Sequence, residues 1–172
     1  MATTYDDSGI GRHLEIFLEK ASRHTTMDEQ PLARITPFEF SFALSATQNG
    51  TINNVVRLLK MPPGAYVFDL RATPSDMDTN VAPAVVYDLI FLDSGGTTKV
   101  TAVSGSTNGQ AAAGSDRLAN AAVGKFVGGY YLAIKFTTAP ATAAAGTLKL
   151  VLLLSLGVVD KSGDVVMTDT GI

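Results

Sequence analysis

The sequence predicts an all-β sandwich or barrel of about eight strands, joined by Greek-key or jelly-roll connections and preceded by an arm with one short helix. Three observations lead there. Apolar and polar residues alternate with a period of two through most of the chain after Pro37. Clusters of Gly, Pro, Asn and Ser interrupt these runs at strand-length intervals, as in "QNG", "MPPG", "SGG", "VSGSTNGQAAAG" and "APATAAAG". Two-residue Asn-Gly or Asp-Gly turns do not link most neighbours, so long crossing connections are favoured over a simple meander.

The chain changes character between Pro31 and Pro37, which divides it into an arm, residues 1–34, and a β-sandwich domain, residues 35–172. In the arm, Ile10, Leu14, Phe17 and Leu18 fall at helical spacing, Ser8 is available as an N-cap, and Glu15 and Glu19 lie near Lys20 and Arg23. This pattern predicts one short amphipathic helix near Ile10 to Arg23. The apolar stripe makes Ile10, Leu14, Phe17 and Leu18 the candidates for contact with another subunit, against simple packing on the same chain.

Beyond the arm, Phe38, Phe40, Phe42 and Leu44 alternate with Glu39, Ser41 and Ala43. Tyr66, Phe68 and Leu70 oppose Val67, Asp69 and Arg71; Tyr87, Leu89 and Phe91 oppose Asp88, Ile90 and Leu92. Tyr130, Leu132, Ile134 and Phe136 oppose Tyr131, Ala133 and Lys135. Val55–Leu59, Lys99–Val103 and a weaker stretch from Ala121 to Val127 complete the set with a leucine-rich strand.

That last strand lies in "TLKLVLLLSLGVVD", Thr147 to Asp160. Its apolar run is shorter than the roughly 20 residues a bilayer-spanning helix needs, and Lys149, Asp160 and Lys161 close it at both ends. At a period of two, Leu148, Leu150, Leu152, Leu154 and Leu156 share one side, opposite Lys149, Val151, Leu153 and Ser155. A central strand is expected, its second side covered by the arm or by a partner chain.

Composition narrows the function. A chain of 172 residues is long enough to bury a core. With no cysteine it has neither disulfides nor thiolate metal sites. Its net charge of −3, with Lys and Arg scattered singly, argues against a nucleic-acid or membrane-surface partner. The opening "MATTYDDSGIG" is acidic and polar, so export through the standard pathway is not expected.

Motifs that carry chemistry are weak. His13 and His24, the two histidines, lack further ligands at metal-site spacing. "DSGGT" at Asp93 to Thr97 and "SGSTNG" at Ser104 to Gly109 have neither a nucleophile elbow nor a phosphate loop around them and read as turns. Asp76, Asp78 and Asn80 alternate as oxygen ligands do in calcium loops, but the glycine and distal glutamate are missing, so a loop with solvated carboxylates is favoured. No catalytic residue, metal or cofactor is assigned. The small-residue stretches Asn108 to Gly124 and Thr137 to Gly146 suit close packing against another subunit or ordinary loop structure.

"MPPGAYVFDLRATPSDMDTNVAPAVVYDLIFLD", Met61 to Asp93, followed by "GGYYLAIKFTTAPATAAAGTLKLVLLLSL", Gly128 to Leu156, resembles tailed-bacteriophage capsid decoration (cement) proteins. The resemblance rests on a "P-x-G" lead into a strand, a "D-x-D" stretch before a second, and "TAPATAAAG" before a final hydrophobic strand. It implies a jelly-roll-like β-sandwich without enzymatic activity. It also implies a place on the capsid exterior, with the major capsid protein and further copies of itself, as homodimer or homotrimer, as partners. The arm before Pro31 departs from the compact versions of that family. A tail, baseplate or fibre component has similar strands; a carbohydrate-binding sandwich is disfavoured by the absence of tryptophan.

Overall fold

The computed structural model describes residues 5–6, 35–110 and 114–156. Ten strands follow one another: β1 (Tyr5–Asp6), β2 (Ile35–Leu44), β3 (Val55–Lys60), β4 (Ala65–Pro74), β5 (Val86–Leu92), β6 (Thr98–Ser106), β7 (Asp116–Arg117), β8 (Lys125–Phe126), β9 (Tyr131–Thr138) and β10 (Gly146–Leu156). One helical turn, α1 (Ala46–Asn49), follows β2, and 3-10 turns lie at Asn108–Gln110 and Asn120–Ala122. The helix expected near Ile10 to Arg23 falls outside the described residues.

The strands form two sheets. The front sheet has the order β2-β10-β4-β7, with β8 also on β4; the back sheet has the order β1-β3-β9-β5-β6. β2 pairs with β10, β3 with β9, β4 with β7 and β5 with β6, all antiparallel. The chain therefore runs as one long hairpin whose tip is the β5–β6 turn, rolled so that β10 also meets β4 and β9 also meets β5. This is the jelly-roll winding, and the fold is the expected all-β sandwich. The tip is the "DSGGT" stretch: Asp93 Oδ1 accepts from Thr97 N at 2.8 Å, and Gly96 takes φ 85°, which a side chain disfavours.

The core lies between the sheets. Phe38, Phe40, Phe42 and Leu44 of β2 meet Leu148, Leu150, Leu152 and Leu154 of β10 on the inner side of the front sheet; Tyr87, Leu89 and Phe91 with Leu132, Ile134 and Phe136 line the back sheet. The leucine strand is central, as its alternation predicts, and each fully buried leucine contributes about 2 kcal/mol through burial. On its second side Val151 and Leu153 are half-buried, and the arm expected to cover them falls outside the described residues but for Tyr5–Asp6.

Three local expectations are corrected. Val67 is buried and Phe68 exposed, the reverse of the predicted faces, because the β4–β10 register shifts at Leu153/Leu154 and leaves Phe68 as the extra, bulged residue. The weak strand over Ala121 to Val127 is instead a 3-10 turn followed by the two-residue β8, and β7 went unpredicted. The first two residues of the "QNG" turn belong instead to α1, which a capping box opens: Ser45 Oγ accepts from Gln48 N at 3.2 Å, while Gln48 Oε1 accepts from Ser45 N at 2.8 Å.

Candidate interaction surface

At one end of the sandwich, Asp78 fastens two loops together. Its Oδ1 accepts from Thr142 N at 2.9 Å and Asn80 N at 3.3 Å; its Oδ2 accepts from Ala84 N at 2.7 Å, Ala141 N at 2.8 Å and Val85 N at 3.3 Å. Burial raises the carboxyl's pKa, but these backbone donors outweigh it and hold the group at about 2. Asp76 Oδ1 in turn accepts from Asp78 N at 2.9 Å. The alternating Asp76, Asp78 and Asn80 are thus drawn to backbone N–H groups, the opposite of a cation cage. Among the described residues no three His, Asp or Glu side chains gather as metal ligands.

Two glycines of this end serve the chain's own packing, while Ala141, Ala143 and Ala145 of the same loop stay exposed. A side chain at Gly109 would meet Met77 Cε at 2.5 Å, and one at Gly146 would meet Met77 Cγ at 2.6 Å. Asn49 of α1 donates from Nδ2 to Ala144 O at 2.5 Å, tying the same loop to the helical turn.

A second polar cluster is buried beside β7. Asp116 accepts from the Tyr87 hydroxyl, from Ser106 Oγ at 2.7 Å and from Asn108 Nδ2 at 2.6 Å. Burial, and then the carboxylate, push the Tyr87 pKa well above the usual phenol range, so the hydroxyl keeps its proton and acts as a donor. Every group of the cluster is engaged in joining β5, β6 and β7. It has the composition of a support, a buried carboxylate whose oxygens accept from two hydroxyls and an amide of neighbouring elements.

The outer side of the front sheet is different in kind. Directly opposed residues share a face, so the register fixes its rows. The first holds Ile35, Ser155, Tyr66 and Phe126; the second Pro37, Leu153 and Asp69, with Phe68 bulging beside it. The third holds Glu39, Val151, Arg71 and Arg117, the fourth Ser41, Lys149 and Thr73. Apart from Ser155 and Asp69, the first two rows are apolar and aromatic. Phe126 makes edge contacts with Tyr66 at 5.3 Å and Tyr130 at 6.1 Å between centroids, yet remains 39% exposed. The third and fourth rows, Arg117 apart, line a shallow depression of about 460 Å³ formed by Glu39, Ser41, Arg71, Thr73, Lys149 and Val151.

Sequence reasoning found Lys149 and Val151 on an outward side but did not bring Arg71, Arg117, Phe68 and Phe126 together with them. No sequence periodicity links β4 to β7 and β8, and the bulge that turns Phe68 outward has no marker. Ile10, Leu14, Phe17, Leu18, His13 and His24 lie outside the described residues.

The fold and this surface define an antiparallel jelly-roll sandwich whose described polar clusters brace loops and whose front sheet presents an open face. No protein-family model matches the chain, and no curated protein matches its sequence. Among solved structures, the fold is similar to a chain of "Capsid of Ralstonia phage GP4", with TM-score 0.65 and 21% identity over 91% of this chain and 99% of that one. It is similar also to a chain of "Cyanophage Pam1 capsid asymmetric unit", with TM-score 0.60 and 21% identity over 76% of this chain and 91% of that one. At these identities the likeness is one of fold.

Proposed function

We propose that this chain is a structural virion protein that binds the outer surface of a phage capsid and stabilises it, without enzymatic activity. The observation that carries the reading is the jelly-roll winding, similar over 91% of the chain to a chain taken from a phage capsid. The decoration-protein resemblance of Met61 to Asp93 and Gly128 to Leu156 supports the exterior position. Its partners are the major capsid protein and further copies of itself, as homodimer or homotrimer, each copy contributing a weak contact that multiplies in the oligomer.

In this reading residues 1–34 act as an anchoring arm on the sandwich domain, and Ile10, Leu14, Phe17 and Leu18 contact the capsid or a neighbouring copy. Parallel pairing of Tyr5–Asp6 with Val55–Val56 on the edge of the back sheet is consistent with an arm that adds a strand to an exposed edge. Copy number in purified particles tests the function: a shell protein is present in numbers that match the capsid lattice, a tail component in a few copies. Particles whose copies lack Met1 to Gln30 should also release packaged DNA at lower temperature than intact ones. Equal heat resistance with full occupancy would remove the arm from the mechanism.

A further inference from the structure

The outer face of the front sheet combines two features that are each unfavourable in a free protein. Ile35, Phe68 and Phe126, at 49%, 37% and 39% exposure, are three of the six large apolar side chains left exposed among the described residues, and the sheet register gathers them at one end of a single face. Val123, 48% exposed, lies in the turn that leads into β8 on the same edge. Clustered exposed aromatics mark contact surfaces, whereas single ones are ordinary.

Beside them, Arg71 stands directly opposite Arg117, and Lys149 lies on the neighbouring strand one row further. Like charges in directly opposed positions repel. Neither arginine nor the lysine forms an ion pair with a described residue, although Glu39 lines the same depression and Asp69 the row above, its Oδ1 taken by Leu70 N at 2.9 Å. The result is a cationic depression adjoining an aromatic patch on a chain whose net charge is −3.

We propose that this face docks on a protein surface that presents Asp or Glu carboxylates next to an apolar patch. Resting on the virion reading above, the partner is the capsid shell subunit. Arginine suits the role, since its planar fork pairs with a carboxylate through two hydrogen bonds and would relieve the Arg71–Arg117 repulsion. The aromatic half supplies the desolvated centre, and the charged half sets register and rate of encounter.

The test uses the full chain and capsid shells stripped of it, with binding followed by co-sedimentation across a range of NaCl concentrations. Arg71→Glu combined with Lys149→Glu should weaken binding about tenfold or more at low salt and flatten its salt dependence. Phe68→Ser should weaken binding about tenfold at every salt concentration. Folded variants that bind within about twofold of the wild type overturn the proposal. If the wild type binds no shell, the virion reading falls, and this inference with it. A wild-type chain that self-associates in solution through a contact both variants abolish makes a second copy the occupant and likewise overturns it. Should the charge variant not fold, carbodiimide treatment of intact particles decides: Lys149 joined to a shell carboxylate supports the proposal, and its absence from all cross-links to the shell overturns it.

Discussion

On the front sheet, the outward side of β10 carries Lys149, Val151 and Leu153, partly or fully open to solvent. On the back sheet, the outward side of β5 and β9 buries Ile90, Leu92 and Ala133, which with Val55 of β3 form a second apolar cluster. The cations of the two sides differ accordingly. At the back, the Arg57 guanidinium lies 4.7 Å from the Tyr131 ring centroid and donates from Nη2 to Ser94 O at 3.3 Å, with Lys60 Nζ 5.7 Å from the same ring. At the front, Arg71, Arg117 and Lys149 make no such contacts with described residues. At the back the apolar residues are buried and two cations lie against Tyr131; at the front aromatic residues and cations alike stay exposed, the combination expected of a contact surface.

Four sets of substitutions break or sharpen that contrast. The largest effect belongs to the shared core. Leu152→Asp places an unpaired carboxylate at a fully buried position and should cost several kcal/mol, enough to abolish soluble folded protein, while Lys149→Asp on the outer side should change the melting temperature little. Equal melting temperatures would mean the leucine run is not a core strand.

Next is Asp78→Ala, which removes the acceptor of five backbone N–H groups and should destabilise by about 3 kcal/mol or more in denaturant titrations. Because the folded-state pKa is depressed from 3.8 to about 2, the wild-type carboxylate's contribution is complete above about pH 4 and is lost as pH falls through about 2. Stability measured against pH should fall less steeply through this window in Asp78→Asn than in the wild type. The same slope in both would show that the donors do not hold the charge.

The contrast between the outer faces is tested most directly by Ile90→Ala against Val151→Ala. Ile90, buried on the back, should cost about 2 to 4 kcal/mol, and Val151, half-buried on the front, under about 1 kcal/mol. Similar losses would erase the distinction. The smallest effects concern the bulge. Val67→Ala should cost about 1 to 2 kcal/mol and Phe68→Ala less, despite the larger side chain removed, as read by thermal melting. A reversed order would restore the unbroken alternation of β4.

Much of the fold was legible because a sheet buried on one side writes itself as alternation. β2 and β10 could be read residue by residue, since their outer sides carry Glu39, Ser41 and Lys149. β5 was found, but its outer side was not: Ile90 and Leu92 are apolar like Phe91, so the run gives a strand without saying that both sides are buried. The short β7 had no signal and β8 only the weak stretch from Ala121 to Val127, because two residues hold a single period of the pattern with no repeat of it. The candidate surface was only half legible, with Lys149 and Val151 placed outward and their partners unknown.

The sequence by itself determined the all-β class, the inner faces of β2, β9 and β10, and the central place of the leucine strand, because local alternation and turn chemistry depend on neighbours along the chain. Tertiary structure decided which strands adjoin. It set Arg71 opposite Arg117, turned Phe68 outward through a bulge set by pairing with β10, and brought the Asp78 carboxylate to Ala141 and Thr142. The physical reason is that pairing register and loop closure are settled by the whole rolled hairpin, where each strand's energy depends on partners far away in sequence.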